Sequence, residues 1–183
     1  VEKELLFFLK AQVPQVKFVD RTFNLDPGRT ARLWQWLLEH DNGITNFHFE
    51  IGADLLTEEE LAIMSRMRPG LIQLEIGVQS TNGDTIRGID RTMDLERLKA
   101  AVRRIKGFHN IHQHLDLIAG LPFEDLKSFR RSFDEVYELE PEQLQLGFLK
   151  VLKGSKMYER ASDYGILCCG GPPYEVLSTR WLS

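Results

Sequence analysis

Polar side chains that could bind a metal ion or a polar ligand recur at alternate positions along four segments of the sequence. In chain order they are His48 and Glu50; Gln73, Glu75 and Gln79; His112, His114 and Asp116; and Gln143 and Gln145. Carboxylates and imidazoles on neighbouring strands can coordinate a divalent metal, and with amides they can also hold a polar ligand by hydrogen bonds. The sequence therefore predicts a polar binding site and leaves both kinds of occupant open.

The segments that position these residues alternate between strands and helices. Segment 71–80 has apolar residues at every second position, with polar residues or glycine between them, which is typical of a β-strand with two unlike faces. Further strands are predicted at 16–23, 46–51, 111–119 and 143–151. Thr57 and Glu60 have capping-box spacing, and Asp94 is a predicted N-cap. This order predicts an α/β fold with parallel strands.

The polar rows on successive strands favour a barrel over an open sheet. In an open doubly wound sheet, helices cover both faces of the central strands, so these strands are apolar throughout. A closed, filled barrel has Val, Ile and Leu in its interior. A polar row beside an apolar row therefore predicts an open barrel that holds a ligand near the carboxyl ends of its strands.

Composition limits the classes of partner. The net charge of -4 at pH 7 argues against a nucleic-acid backbone as the main partner. The sequence contains neither an apolar run long enough to cross a bilayer nor a secretory signal pattern, so we expect no membrane partner. The adjacent Cys168 and Cys169 give no reason to expect an oxidising compartment, and a cytoplasmic protein is predicted.

The histidines favour hydrogen-bonded interior side chains over a metal site. Of His109, His112 and His114, only the last two share a strand face, and no cysteine is near them. Two alternatives remain open. One is a non-catalytic binding module, and the other is a metal-dependent barrel hydrolase or isomerase that uses Glu50, His112, His114 and Asp116.

Four stretches, taken in order, resemble the radical S-adenosylmethionine (SAM) enzymes. They are Phe18–Phe23, Phe49-Glu50, Ile76-Gly77-Val78-Gln79-Ser80 and Asp116-Leu117-Ile118-Ala119-Gly120-Leu121-Pro122. The likeness covers nearly the whole chain and is greatest to members with a preceding cobalamin-binding domain and to the coproporphyrinogen-dehydrogenase branch. It implies a partial (β/α)6 barrel, similar to a TIM barrel, with parallel strands and truncated at its N-terminal side.

The resemblance also implies cofactors and the residues that hold them. The implied cofactors are SAM, a [4Fe-4S] cluster and, through an upstream domain, cobalamin. In this family the reduced cluster cleaves SAM, and the resulting 5′-deoxyadenosyl radical abstracts hydrogen from a substrate. The implied SAM-binding residues match the family's motif positions. Asp20 falls on the strand that helps to hold the methionyl amine, and Gln79 and Arg91 match positions that contact the methionyl carboxylate. Glu50 and Asp116 match positions for the ribose or nearby polar groups, and Gly120 would lie beside the adenine. No catalytic residue is identified.

The sequence departs from the family in two ways. The cluster-binding Cys-x3-Cys-x2-Cys pattern is absent, and Asp20-Arg21-Thr22 stands in place of the usual Gly-Gly-Glu. Because Val1 begins inside a helical pattern, we expect the cluster cysteines upstream of Val1 and this fragment to be inactive. The full-length protein is expected to be an oxidoreductase that cleaves SAM reductively, or a cobalamin-dependent methyltransferase, acting on an unknown small-molecule substrate.

The resemblance predicts the domain limits and the partners as well. Residues 1–165 are predicted to form the barrel from its second strand onward, and residues 166–183 a linker or the start of an additional C-terminal domain. An electron donor such as flavodoxin or ferredoxin is the expected protein partner. The barrel edge left open by the missing strand is expected to allow dimerisation.

Overall fold

The central sheet contains five parallel strands in the order β1-β2-β3-β4-β5, in a computed structural model that describes residues 1–182. They are β1 (Gln15–Lys17), β2 (Asn46–Ile51), β3 (Ile72–Gln79), β4 (His112–Ala119) and β5 (Gln143–Phe148). In a doubly wound sheet the strand order reverses at a switch point. Here the spatial order follows the chain order, as in a barrel. The predicted α/β class with parallel strands is confirmed.

Helices connect the strands. They are α1 (Glu2–Lys10), α2 (Pro27–Glu39), α3 (Glu58–Met64), α4 (Gly83–Gly88), α5 (Leu95–Lys106), α6 (Leu126–Tyr137) and α7 (Lys156–Glu159). Near the C-terminus, β6 (Leu167–Cys168) pairs antiparallel with β7 (Val176–Ser178). Within residues 1–182, no helix has the length and apolar character needed to cross a membrane.

Side-chain caps fix the starts of several helices. Thr57 and Glu60 form the predicted capping box at α3, in which each side chain hydrogen-bonds the backbone N–H of the other residue. Asp94 accepts a hydrogen bond from the backbone N–H of Arg97 and so caps α5, as predicted. These local signals are satisfied within three residues, which explains why the sequence pattern alone locates both helix starts.

The described chain divides into two compact units. The first contains residues 1–77, 94–115 and 141–143, and the second contains residues 78–93, 116–140 and 144 to the end of the described chain. In the first unit, the Phe49 ring on the apolar face of β2 lies 5.8 Å from Trp34 of α2 and 4.5 Å from Phe23. All three side chains are at most 1% exposed. Helix α2 therefore covers the apolar face of β2.

In the second unit, Leu121, Leu149 and Val151 form a buried apolar cluster. Residues of the C-terminal hairpin, including Cys168 and Val176, pack against it. The β5 side chains Leu146 and Phe148 are 46% and 79% exposed. At these two positions the predicted apolar face of β5 is therefore exposed, so burial does not distinguish it from the polar face.

Two predicted strands are shorter in the structure. The strand predicted at 16–23 ends at Lys17, because the chain turns inward at Phe23 and the amide of Asn24 bonds both the N–H and the C=O of Gly52 at 2.9 Å. The prediction that Asp20 lies on a strand is therefore wrong, since Asp20 lies in the following loop. The strand predicted at 143–151 ends at Phe148.

Candidate functional site

A polar row crosses β2 and β3 on one face of the sheet in the first unit. The register places His48 beside Gln73 and Glu50 beside Glu75. Register partners in adjacent strands point to the same face, so these four side chains share one side of the sheet. Their apolar neighbours along the two strands, on the opposite face, are at most 2% exposed. The predicted alternation is confirmed in these strands.

Glu75 is the centre of a hydrogen-bond network in this row. Its Oε2 accepts from Lys17 Nζ and from His48 Nε2, each at 2.9 Å, and Gln73 Nε2 donates to His48 Nδ1 at 2.9 Å. Because Nδ1 accepts a hydrogen bond, the imidazole of His48 is the neutral tautomer with its proton on Nε2. Both ring nitrogens are therefore occupied by protein partners.

The pKa values of this pair keep the carboxylate charged and the imidazole neutral. Burial and the charge of Lys17 lower the pKa of His48 and outweigh the opposing effect of Glu75. Burial raises the pKa of Glu75, but the hydrogen bond and charge of Lys17, together with His48, bring its net pKa below the ordinary value. The row thus offers fixed hydrogen-bonding groups rather than a free base.

The metal-dependent alternative requires a cluster of ligands. In the first unit, His112 is exposed, whereas His114 and Glu50 are half-buried on β4 and β2. No group of three or more His, Cys, Asp or Glu side chains in the described part of the chain could hold a metal ion. The donor set that a metal-dependent hydrolase or isomerase needs is therefore not assembled by these residues.

Asp20 lies in the loop that follows β1. It lines a groove of about 360 Å³ with residues of α1 and the segment around β1, and its Oδ1 lies 3.7 Å from Arg29 Nη1. This distance describes a loose, half-exposed ion pair, which contributes little to stability. Because Asp20 lies in a loop rather than on β1, its charged neighbour is Arg29 of α2.

In the second unit, Gln79 ends β3 in a strained turn. Its φ is +67°, and the backbone N–H of Ser80 donates to the carbonyl of Val78 at 2.9 Å, which closes a γ-turn around Gln79. Gln79 Oε1 is buried and has no hydrogen-bond partner among residues 1–182. A buried acceptor without a partner is costly, and strained backbone is concentrated at functional sites. Both observations make Gln79 a candidate ligand-binding residue.

A buried carboxyl group supports this turn from the loop after β4. Glu124 Oε1 accepts hydrogen bonds from Ser80 Oγ at 2.6 Å and from Ser132 Oγ at 3.0 Å, and all three side chains are 0% exposed. Burial raises the pKa of Glu124, and the two serine hydrogen bonds oppose this shift. This network is not evident in the sequence, because Glu124 and Ser132 lie 44 and 52 positions after Ser80. The one local signal is a glutamate directly after the Gly120–Phe123 turn.

The other predicted residues of the second unit lie on or beside β4 and α4. Asp116 is half-buried on β4, and Gly120 follows the carboxyl end of β4 with φ +89°. A Cβ on Gly120 would meet Leu149 at an ordinary 3.6 Å, so the positive φ rather than crowding requires glycine. The backbone N–H of Arg91 donates to Ile86 O and closes α4. Because β3 and β4 are adjacent, Gln79 and Gly120 occupy the carboxyl ends of neighbouring parallel strands.

Comparison with known proteins identifies the family. No model of a known protein family matches the chain. It is 33% identical over 115 residues to the oxygen-independent coproporphyrinogen-III oxidase-like protein HemZ of Bacillus subtilis, which aligns 62% of this chain with 22% of HemZ. It is 31% identical over 128 residues to the oxygen-independent coproporphyrinogen III oxidase of Salmonella typhimurium, which aligns 67% of this chain with 27% of that enzyme.

The fold of this chain is also similar to solved structures of radical SAM proteins. The chain superposes on the radical S-adenosylmethionine methyltransferase TsrM from Kitasatospora setae with a TM-score of 0.77, at 15% identity, over 96% of this chain and 37% of TsrM. It superposes on HemN from Escherichia coli, described as a radical SAM enzyme, with a TM-score of 0.58, at 22% identity, over 82% of this chain and 38% of HemN. The chain belongs to the radical SAM superfamily.

The superfamily fold explains the strand order. The five-stranded parallel sheet is a partial radical SAM barrel, as the resemblance predicted. The chain spans only 22% and 27% of the first two curated relatives. The roles of Asp20, Glu50, Gln79, Arg91, Asp116 and Gly120 toward SAM stay predictions.

The residues present fit the two radical SAM cofactors differently. The unpartnered amide oxygen of Gln79 and the glycine after β4 are compatible with a polar, partly flat ligand such as SAM. The sequence contains only two cysteines, Cys168 and Cys169, which are adjacent and half-buried in the hairpin region. Two adjacent thiols cannot supply the three cysteine ligands of the family's cluster motif, so the chain does not fit the [4Fe-4S] cluster.

Proposed function

We propose that this chain forms the SAM-binding part of a radical SAM enzyme whose full-length form cleaves SAM reductively and acts on a small organic substrate. Gln79 carries the proposal. Its Oε1 is buried without a partner in the described chain, at the carboxyl end of β3 and within the Gly77-Val78-Gln79-Ser80 motif. An enzyme site concentrates such unsatisfied groups where a ligand will satisfy them.

The side chain of Gln79 suits the amino-acid end of SAM. A primary amide has both a donor and an acceptor, so it can bond the ammonium or the carboxylate of a methionyl group. Arg91, which follows α4, is assigned to the same carboxylate because a guanidinium forms charge-assisted hydrogen bonds with it.

The remaining groups of SAM are assigned to β4 and the residues that follow it. The carboxylate of Asp116 can accept hydrogen bonds from ribose hydroxyls. Gly120 leaves the backbone after β4 without a side chain, which allows a flat ring such as adenine to approach it. A cluster, whose cysteine ligands this chain does not contain, would supply the electron for SAM cleavage in the full-length protein, and flavodoxin or ferredoxin is the proposed electron donor.

The test uses the full-length protein. It is purified anaerobically, reconstituted with iron and sulfide, and incubated with SAM and a strong reductant, and 5′-deoxyadenosine is quantified. We expect 5′-deoxyadenosine that disappears when iron is omitted from the reconstitution. A protein that incorporates iron but binds no SAM in equilibrium dialysis would contradict the proposal.

Cobalamin-dependent methyl transfer is the second candidate. It is supported by the superposition on TsrM, whose TM-score of 0.77 over 96% of this chain exceeds the 0.58 over 82% found with HemN. Methyl transfer from SAM leaves S-adenosylhomocysteine. The same incubation with and without added cobalamin distinguishes the two candidates, because cobalamin-dependent S-adenosylhomocysteine is expected only from the second.

A further inference from the structure

The conformation of Gln79 requires support from its surroundings. Its φ of +67° is uncommon for a residue with a side chain, and the γ-turn from Val78 O to Ser80 N is a strained arrangement. Such strain persists only where neighbouring contacts determine the backbone more strongly than its own preference does. Those contacts are found one residue later, at Ser80.

The hydroxyl of Ser80 is held from two sides. It donates to Glu124 Oε1 at 2.6 Å and accepts from the backbone N–H of Asn82 at 3.0 Å. Glu124 Oε1 also accepts from Ser132 Oγ of α6 at 3.0 Å. Since Ser80, Glu124 and Ser132 are all 0% exposed, water cannot replace these bonds.

The residues after Ser80 are anchored to the same two elements. The backbone N–H and the hydroxyl of Thr81 donate to Ser132 Oγ at 3.1 and 3.2 Å. Asn82 Nδ2 donates to the carbonyl of Phe123 at 3.0 Å. The polar side chains of positions 80–82 are thus all engaged by the protein, whereas Gln79 Oε1 has no partner in the described chain. The turn holds its backbone in place and presents the amide of Gln79 to a ligand.

We propose that Glu124 is a positioning residue for SAM, which holds the γ-turn through Ser80 and thereby orients the amide of Gln79. The inference rests on the proposed function, because it takes SAM as the ligand of Gln79. Glu124 is fully buried and bonds Ser80 rather than the ligand, so its effect on binding passes through the turn.

The hydrogen bonds also specify which substitution of Glu124 is tolerated. Both serine hydroxyls donate to Oε1, and Oε2 has no partner among residues 1–182. The amide of glutamine keeps one such acceptor oxygen in a side chain of the same shape. Glu124→Gln therefore retains the anchor, whereas Glu124→Ala removes it and leaves two buried hydroxyls without their acceptor.

The first experiment is a double-mutant cycle on SAM binding, measured by equilibrium dialysis with the reconstituted full-length protein. We expect Glu124→Ala to raise the Kd about tenfold, the range for releasing a strained backbone, and Glu124→Gln to leave it within about twofold. In a Gln79→Ala background, Glu124→Ala should have no further effect. An equal increase in both backgrounds would overturn the proposal. The exposed Glu138→Ala is the matched control.

The second experiment needs no SAM. Amide hydrogen exchange of Ser80, whose N–H closes the γ-turn, should become at least about tenfold faster in Glu124→Ala and stay unchanged in Glu124→Gln. If Glu124→Ala does not fold, Ser80→Ala removes the same anchor, and its effect on SAM binding replaces the cycle. Unchanged Ser80 exchange in Glu124→Ala overturns the positioning role. A Gln79→Ala variant with unaltered SAM affinity instead overturns the proposed ligand of Gln79, whatever the exchange shows.

Discussion

The imidazole Nε2 of His48 lies 2.9 Å from Oε2 of Glu75, and this hydrogen bond joins β2 to β3 on the polar face of the sheet. Lys17 Nζ reaches the same oxygen from β1 at 2.9 Å. The three side chains tie together three successive strands at a position where a barrel would otherwise be filled by apolar residues. The polar interior is therefore held together by its own hydrogen bonds.

We expect this network to make the protein sensitive to acid. The pKa of His48 and that of Glu75 both lie below their ordinary values of 6.5 and 4.5. A group with a lowered folded-state pKa contributes stability that is complete above its unfolded pKa and is lost as the pH falls through its folded pKa. Stability should thus begin to fall below about pH 6.5 through His48 and fall further below about pH 4.5 through Glu75.

Urea unfolding of Glu75→Gln at several pH values checks this expectation. The variant should lose about 1 kcal/mol at pH 7, because the bond from Lys17 loses its charged acceptor, and its stability should change less below pH 4.5. Exposed Glu2→Gln is the control. An unchanged pH dependence in Glu75→Gln would show that the pair does not govern acid stability.

Asp116→Ala and Gln79→Ala are expected to weaken SAM binding about tenfold in the full-length protein, with little change in Tm. Both side chains are only partly buried, so truncation removes few apolar contacts. Equilibrium dialysis gives the Kd. Exposed Glu138→Ala serves as the control, and unaltered affinity in both variants would refute the assignment.

Gln79→Gly should separate stability from binding. Glycine adopts positive φ without steric cost, so this variant is expected to raise the free energy of unfolding by about 0.5–1 kcal/mol. It should also bind SAM more weakly, because the amide is lost. Gln73→Gly, near the start of β3, should lower stability instead. Equal destabilisation by both glycines would mean that the turn at Gln79 is not strained.

Gly88→Ala should disturb the aromatic cluster of the second unit. A Cβ on Gly88 would lie 2.6 and 2.7 Å from Cδ2 and Cε2 of Phe123, whose ring packs against Tyr164 and Trp181 at 5.7 and 4.7 Å. Moving the ring costs about 1–3 kcal/mol by disrupting this packing. Thermal unfolding measures the loss. In a Phe123→Ala background the same substitution should have almost no further effect, since the clash is gone.

The free edge of β1 is expected to support dimerisation of this polypeptide. Pro14 O and Phe18 N bond β2, so by alternation the N–H groups of Gln15 and Lys17 point away from β2. An outward row of this kind pairs with another strand. Light scattering after size exclusion should show a concentration-dependent dimer that Gln15→Pro reduces, because proline removes one outward donor. A monomer at all concentrations would contradict the expectation.

The sequence was sufficient to predict the parallel α/β class and the two unlike faces of β2 and β3, because side-chain alternation is a property of each strand by itself. The same prediction did not hold for β5, whose apolar Leu146 and Phe148 are exposed. The inward turn at Phe23 was not predictable, because it depends on Asn24 bonding the backbone of Gly52, 28 positions away. The support of Gln79 by Glu124 was hidden for the same reason. The Gly77-Val78-Gln79-Ser80 motif identifies Gln79 from sequence, but only the fold shows that Glu124 contacts the turn through Ser80.

The register of β2 and β3 determines which insertions and deletions these strands can accept. The effect depends on whether the number of residues gained or lost is odd or even. Phe49 pairs with Leu74 and Glu50 with Glu75. Deleting one residue within β2 would move the side chains on one side of the deletion to the opposite face, so that Glu50 would point to the apolar side or an aromatic ring into the polar interior. Deleting two residues would shorten the strand but keep every remaining side chain on its own side. Among natural variants, length changes inside these strands should therefore occur in even numbers.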